Sequence, residues 1–128
     1  MEYSAKRKNF SACLEIFMNI KLNYRNKSYT IKDVRVCFGL QKIIGLMFSS
    51  KEKAKPLLFQ FSKPTALAIH SFFVFFPFHA IWLDNQNKIL EIRKIVPFQI
   101  NIQTNGQFSK LLEVPCNKKY AQIIAQLS

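Results

Sequence analysis

The sequence predicts a mainly β (α+β) fold, either a small β-sandwich or a partly closed β-barrel, with about seven or eight mostly antiparallel strands and two short helices. Three observations support this prediction. Phenylalanine supplies 13 of the 128 residues, and aromatic side chains favour strands. Several segments alternate apolar and polar residues, which is the period of a half-buried strand. The uncharged run over 64–83, PTALAIHSFFVFFPFHAIWL, suits central strands covered on both faces.

In the first half of the chain, the residue pattern predicts three strands and a helix. Alternation over 14–24 predicts a strand, residues 25–27 can turn the chain, and 28–36 predicts the return strand. Apolar residues within 40–47 are spaced as one face of a short helix. The apolar segment 57–61, LLFQF, predicts a buried strand that ends before the next proline.

The second half predicts strands over 66–75 and 78–83 that bend at Pro77. The polar turn over 84–87 should bring residues 88–96 back antiparallel to the preceding strand.

A further hairpin is predicted because Asn105-Gly106 lies between the alternating segments 98–102 and 108–114. Asn117 is a suitable N-cap for a last amphipathic helix. Its apolar stripe consists of Tyr120, Ile123, Ile124 and Leu127.

The run over 64–83 is also long enough to cross a bilayer as a helix. Pro77 opposes a helical span because it would break a backbone hydrogen bond. Phenylalanine, valine and isoleucine also favour strand over helix. We therefore predict a soluble protein with no transmembrane span, and keep a membrane span and an interfacial role as alternatives.

The chain length predicts one β-rich domain over 14–128, preceded by a basic extension over 1–13. A signal peptide is not predicted, because Glu15 and Asn19 interrupt the apolar N-terminal stretch and no small-residue cleavage site follows. Three distant cysteines indicate reduced thiols rather than a disulfide framework or a zinc site. The expected location is cytoplasmic, with no metal and no cofactor, and the oligomeric state is left open.

Charge supplies the best functional prediction. The chain carries 19 Lys and Arg against seven Asp and Glu, a formal charge of +12. This excess predicts a binding module whose basic face attracts a polyanion, either nucleic acid or an anionic membrane surface. The candidate binding residues lie on the first hairpin: Lys21, Tyr24, Arg25, Lys27, Tyr29, Lys32 and Arg35. The simpler interpretation is an ordinary solvated face.

An alternative function is an enzyme or a small-ligand protein with a pocket near His70, His79 and Asp84. Convergence of the two histidines could support proton transfer, although isolated histidines usually have structural roles. Cys37 or Cys116 could pair with a histidine as a nucleophile, but nothing in the local sequence activates either thiol. The simpler interpretation of each cysteine is a buried small hydrophobe. An activity is therefore not the favoured prediction.

The carboxylates Asp84 and Glu113 could form a general acid–base pair if the fold brought them together. Simpler roles are available to both. Asp84 suits a turn, and Glu113 could form an ion pair with a cation such as Lys110.

Residues 20–116 resemble the family called domain of unknown function 192, or UPF0127. The matching pieces, in order, are GLMF at 45–48, LLFQF at 57–61, Ile69-His70 through Pro77, IWLD at 81–84, Val96-Pro97, and LEVP at 112–115. The stretch over 70–77 is most similar to archaeal-type members. The resemblance implies a compact, mainly β domain with a short helix around GLMF, and no known activity, cofactor or substrate.

Four positions depart from the pattern of this family. His79 stands where the family usually has Asp, and Ser49 replaces an Arg. Cys116-Asn117 replaces a small residue and Gly. A polar site built on the family's Asp or Arg is therefore not carried over to this chain.

Overall fold

The structure is a computed structural model that describes residues 13–38, 54–69 and 76–127. Its elements are β1 Cys13–Tyr24, β2 Lys27–Phe38, β3 Leu57–Thr65, β4 Phe78–Leu83, β5 Ile89–Ile95, β6 Phe108–Pro115 and the helix α1 Ala121–Leu127. The strands form one six-stranded sheet in the order β1-β2-β3-β6-β4-β5. Neighbouring strands are antiparallel except β2 and β3, which are parallel.

The sheet curls until its two edges meet at one end. The backbone N–H of Asn23, on β1, donates to the carbonyl of Asn87 at 2.9 Å, just before β5 begins. The Asn87 side chain donates to the carbonyl of Lys21 at 3.1 Å. A single curled sheet of this kind is half of a barrel, so the prediction of a partly closed barrel is supported and that of a two-sheet sandwich is wrong.

Two apolar clusters lie on opposite faces of the sheet. The inner cluster joins residues from both edge strands with the buried side of α1, and its main members are Ile20, Leu22, Ile31, Val34, Leu58, Ile81, Leu83, Ile89, Leu112, Val114, Tyr120, Ile124 and Leu127. The outer cluster consists of Ala54, Leu57, Phe59, Ile69, Phe76, Phe78, Ala80, Trp82, Ile95, Ile102, Phe108 and Leu111. Because side chains alternate along a strand, the central strands contribute to both clusters.

The first hairpin confirms the predicted strands and turn. β1 and β2 are joined by Arg25 and Asn26, whose φ values are 52° and 65°. Two consecutive left-handed residues form the tight turn that matches the twist of two antiparallel strands. Asparagine tolerates this conformation better than most residues, so the turn is encoded locally.

Among the described residues of the uncharged run, only those of its second half form a predicted strand. β4 covers Phe78–Leu83 and pairs with β5, which confirms the strand–turn–strand prediction over 78–96. Residues 66–68 are not in a strand, and Ile69 makes a single bridge to Ile102. The predicted strand over 66–75 is therefore wrong at its start, and its remainder lies outside the described residues. Within the described part of the chain, no helix is both long and apolar enough to span a bilayer.

The hairpin predicted around Asn105-Gly106 is wrong. β6 pairs with β3 and β4, not with residues 98–102. Phe98 and Asn101 have φ values of 66° and 55°, which interrupt an extended strand. Burial of β6 between two distant strands therefore outweighs the local hairpin signal, and Gly106 (φ 84°) turns a loop instead.

The number of elements also differs from the prediction. Six strands occur in the described residues rather than seven or eight. The helix predicted within 40–47 lies outside the described residues, whereas the C-terminal helix is confirmed as α1. β3 continues to Thr65, past the expected end at residue 61, and Pro64 lies in its irregular, exposed part. The single domain and its extension over 1–13 stay a prediction.

Candidate functional site

A groove of about 810 Å³ lies between α1 and the neighbouring ends of β4, β5 and β6. Three lysines, Lys94, Lys118 and Lys119, contribute to its lining. The other lining residues are His79, Pro115, Cys116, Asn117, Tyr120, Ala121, Ile124 and Ala125. None of these described lining residues is acidic, so we call it the basic groove.

The turn between β6 and α1 builds one wall of the basic groove. The Asn117 side-chain oxygen accepts a hydrogen bond from the N–H of Lys119 at 3.1 Å, as the predicted N-cap should, although the helix begins at Ala121. The same side chain donates to the carbonyl of Ala54 at 3.4 Å, and Asn117 is buried. These contacts fix the turn that carries Lys118 and Lys119, which both line the groove.

His79 and Cys116 meet in this groove, with 3.3 Å between Nδ1 and Sγ. His79 lies on β4, and the antiparallel register places it beside Val114 near the end of β6. Burial, and then the charge of Lys94, lower the pKa of His79. A neutral imidazole can accept a proton from a thiol when its own proton lies on the other nitrogen.

The sequence suggested that Cys116 could pair with a histidine but could not show which one, since His79 lies 37 positions away. The simpler interpretation of Cys116 as a buried small hydrophobe does not match its intermediate exposure. Two of the departures from the family pattern, His79 and Cys116, are in direct contact.

The predicted hairpin residues are divided between two environments. Lys21, Arg25, Lys27 and Lys32 are exposed. The tyrosines Tyr24 and Tyr29 are partly buried and pack against the inner cluster. The Arg25 guanidinium lies 4.9 Å from the centre of the Tyr24 ring. Arg35 is half-buried, and its Nε has no hydrogen-bond partner among the described residues.

A second, smaller groove of about 350 Å³ links the hairpin to α1. Lys32 and Lys119 both line it. The Tyr120 hydroxyl donates to the carbonyl of Lys32 at 3.2 Å, which attaches β2 to the turn before α1. Lys119 also forms an exposed ion pair with Asp33 at 2.8 Å. One cation of the hairpin, Lys32, and one cation of the basic groove, Lys119, thus line the same smaller groove beside α1.

The described structure does not bring together the residues of the alternative pocket, which was predicted near His70, His79 and Asp84. His70 lies outside the described residues. His79 and Asp84 lie at opposite ends of β4, roughly 17 Å apart along an extended strand. Within the described ranges, no group of three or more histidine, cysteine or acidic side chains could hold a metal ion.

Asp84 has a structural role in the turn between β4 and β5. Its Oδ1 accepts hydrogen bonds from the N–H groups of Gln86 and Lys88, at 2.8 and 2.9 Å. We expect Asp84→Ala to reduce the free energy of unfolding by about 1–2 kcal/mol, because it leaves these donors without their acceptor. Urea unfolding measures the change. Asp33→Asn, which removes an exposed ion pair and keeps a side chain that tolerates the left-handed φ of 58° at this position, should cost much less, and an equal cost for both would contradict the structural role.

Comparison with solved structures shows the same fold in two crystal structures. A protein of unknown function from Novosphingobium aromaticivorans DSM 12444 is 14% identical with a TM-score of 0.67, covering 84% of this chain and 78% of that chain. A proposed transcription regulator from Sinorhizobium meliloti 1021 is 17% identical with a TM-score of 0.67, covering 79% of this chain and 81% of that chain. At these identities the likeness shows the fold alone.

No curated protein matches the sequence. The DUF192 family model, described as "Uncharacterized ACR, COG1430", matches residues 27–122 and includes both His79 and Cys116. Because this match covers well over half of the chain, the resemblance is confirmed at the level of the family, and the protein belongs to the DUF192 family.

Proposed function

We propose that this protein is a binding module for a phosphate-bearing polyanion, single-stranded nucleic acid, which it holds in the basic groove. The observation that carries the proposal is the presence of Lys94, Lys118 and Lys119 around a groove whose described lining has no carboxylate. Lysines bind backbone phosphates and release the counterions of the nucleic acid. A concave groove can receive a flexible strand, whereas a flat membrane surface cannot enter it.

The binding surface continues from the basic groove onto the first hairpin. Lys32 lies beside Lys119 in the smaller groove, and the exposed Lys21 and Lys27 lie further along the same hairpin. The proposal assigns binding to the cations rather than to Tyr24, whose ring already lies against Arg25. Electrostatic attraction to the backbone would make binding largely independent of base sequence.

The test is fluorescence anisotropy of a labelled oligothymidylate over a range of salt concentrations. We expect the logarithm of the association constant to fall linearly with the logarithm of salt, by about 0.7 for each phosphate contact. The variant Lys94→Glu/Lys118→Glu should weaken binding by at least about tenfold. The variant Lys21→Glu/Lys27→Glu measures how much the first hairpin contributes to the affinity for the oligonucleotide.

The matched control is Lys63→Glu/Lys88→Glu, which makes the same change in net charge at exposed side chains outside the groove lining. It should weaken binding much less than the groove variant. If both variants lost the same affinity, the weakening would be due to net charge alone, which would contradict a defined binding site in the groove. Binding that does not respond to salt would contradict the proposal as a whole.

A second candidate function is a small-ligand site in the same groove, because His79 of the alternative pocket lines it beside Cys116. A small anion that displaces the oligonucleotide, yet binds alone with little salt dependence, would favour this candidate. Two further predictions stay proposals. One is that residues 70–77 are most similar to archaeal-type members, and the other is that the protein is soluble and cytoplasmic.

A further inference from the structure

The contact between Cys116 and His79 is held in place by the sheet. β4 and β6 pair so that Phe78 lies opposite Pro115 and His79 opposite Val114. The Cys116 N–H donates to the carbonyl of Pro77 at 3.0 Å, which fixes the backbone of the cysteine beside β4. The distance of 3.3 Å between Sγ and Nδ1 therefore follows from backbone pairing and not from a loop that could adopt many positions.

Two lysines lie close to this pair in the fold. Lys94 lies directly opposite His79 on β5, and Lys118 is two residues from Cys116 in the chain. Both lysines line the groove that contains the thiol. Positive charge near a cysteine lowers the free energy of the thiolate, which is the nucleophilic form. Burial, and then the charge of Lys94, lower the pKa of His79, which favours the neutral imidazole, whose lone pair can accept the thiol proton.

The groove offers space and selectivity for a small reactant. Its volume of about 810 Å³ is in the range of small-molecule pockets. The side chains of Pro115, Ala121 and Ala125 give it an apolar wall against which an aliphatic chain can pack. The lysines at its rim attract anions and repel cations. Cys116 lines the groove and is of intermediate exposure.

From this geometry we propose that Cys116 is a nucleophilic thiol that exchanges with small anionic disulfides in the basic groove, with His79 as its proton acceptor. The thiol proton moves to Nδ1 of His79, and Sγ attacks one sulfur of the disulfide. The S–S bond of the reactant breaks, and half of it leaves as a thiolate. Cys116 is thereby oxidised to a mixed disulfide, and the leaving half is reduced. This chemistry does not depend on nucleic-acid binding, because the reactant is small.

The test uses two symmetric disulfides of matched chain length, the anionic 3,3′-dithiodipropionate and the cationic cystamine. Trypsin cleaves after Lys110 and Lys118, so mass spectrometry of the peptide over 111–118 reports modification of Cys116 in the intact wild-type chain. The reference is the same chain unfolded in urea. In the folded protein we expect the ratio of anionic to cationic rates to be at least about tenfold higher than in the unfolded chain.

Two variants separate charge from proton transfer. Lys94→Glu/Lys118→Glu should lower the rate ratio to that of the unfolded chain or below, whereas the control Lys63→Glu/Lys88→Glu should keep it. His79→Gln should slow both reagents by at least about tenfold and leave their ratio unchanged. Circular dichroism confirms that each variant is folded.

Two results would overturn the proposal. One is a folded wild-type protein whose Cys116 reacts with the anionic reagent no faster than the unfolded chain. The other is a rate ratio that survives the charge reversal at Lys94 and Lys118. If the wild-type protein did not bind the oligonucleotide but showed the expected disulfide-exchange rates, the proposed nucleic-acid binding would be contradicted and the thiol proposal would stand.

Discussion

Glu113→Gln is expected to stabilise the protein at neutral and higher pH and to remove most of the pH dependence of its unfolding. Glu113 lies on β6 and is 8% exposed. Its cross-strand neighbours, Leu57 and Ala80, belong to the outer cluster, so the carboxyl faces apolar side chains that offer neither charge nor hydrogen bonds. Burial raises the pKa of Glu113 from 4.5 to about 8. The ion pair suggested by the sequence, with Lys110, is not formed, because Lys110 donates to Asn87 instead.

The sign of the effect follows from proton binding. The unfolded chain releases the Glu113 proton near its usual pKa of 4.5, whereas the folded protein keeps it until about pH 8. Between these values the folded state binds more protons, so the free energy of unfolding falls as pH rises. At about 1.36 kcal/mol per pKa unit, the loss is about 3 kcal/mol at about pH 7. Below pH 4.5 both states hold the proton and the loss disappears.

Urea unfolding, followed by the fluorescence of Trp82, the single tryptophan, measures this effect. We expect the stability of the wild-type protein to decline from about pH 5 to about pH 8 and that of Glu113→Gln to decline much less. A wild-type curve that is flat over this interval, or a variant that keeps the slope, would show that the buried carboxyl is not the cause.

Glu91→Gln is the matched control, because folding lowers the pKa of Glu91 and its contribution to stability therefore changes with pH in the opposite direction. Burial raises the pKa of Glu91, but hydrogen bonds from Thr104 and Arg93 outweigh it and lower the pKa overall. Glu91 therefore contributes stability above its unfolded pKa, and this stability is lost as pH falls through the folded pKa. Its substitution should destabilise the protein at neutral pH, where Glu113→Gln stabilises it.

Trp82→Ala is expected to reduce the free energy of unfolding by about 3–5 kcal/mol. Trp82 is fully buried in the outer cluster, opposite Leu111 on β6 and Glu91 on β5. Removal of the indole leaves a cavity in the outer cluster, and the strands that carry its neighbours cannot shift to fill it because both faces of the sheet are packed. Since the whole stability of such a domain is about 5–15 kcal/mol, this variant should unfold at much lower urea concentration.

Trp82→Phe should cost much less, about 1–2 kcal/mol, because the indole Nε1 has no hydrogen-bond partner among the described residues. The Arg93 guanidinium, 5.2 Å from the indole ring, can still lie over an aromatic face. Ile100→Ala is the control, since Ile100 is 67% exposed and its truncation should change stability by less than about 0.5 kcal/mol. Equal costs for the phenylalanine and alanine variants, measured by circular dichroism, would contradict this account.

Elements with a local cause were predictable from the sequence. Period-two alternation and the left-handed turn at Arg25 and Asn26 specify the first hairpin within a few residues of chain. The segment around Phe98 and Ile100 has the same alternation, yet these side chains are 59% and 67% exposed and form no strand. The pattern was present, but β6 gained more burial by pairing with β3 and β4 than with this neighbour.

The candidate site was predictable in composition but not in position. The sequence indicated His79, Cys116 and an excess of lysines as candidates, although a simpler structural role was available to each. Their convergence depends on the β4–β6 and β4–β5 registers, which join residues far apart in the chain. Two residues of the predicted alternative pocket, His79 and Asp84, do not meet, because His79 lies near the start of β4 and Asp84 follows its end.

The amino-acid sequence by itself determined the β character, the turns between adjacent strands, the basic charge and membership of the family, since each depends on composition or on residues close in the chain. Tertiary structure alone decided the strand order, the meeting of the two sheet edges at Asn23 and Asn87, and the contact of Cys116 with His79. The physical reason is that local propensities act over a few residues, whereas strand order is decided by which distant segments together bury both faces of the sheet.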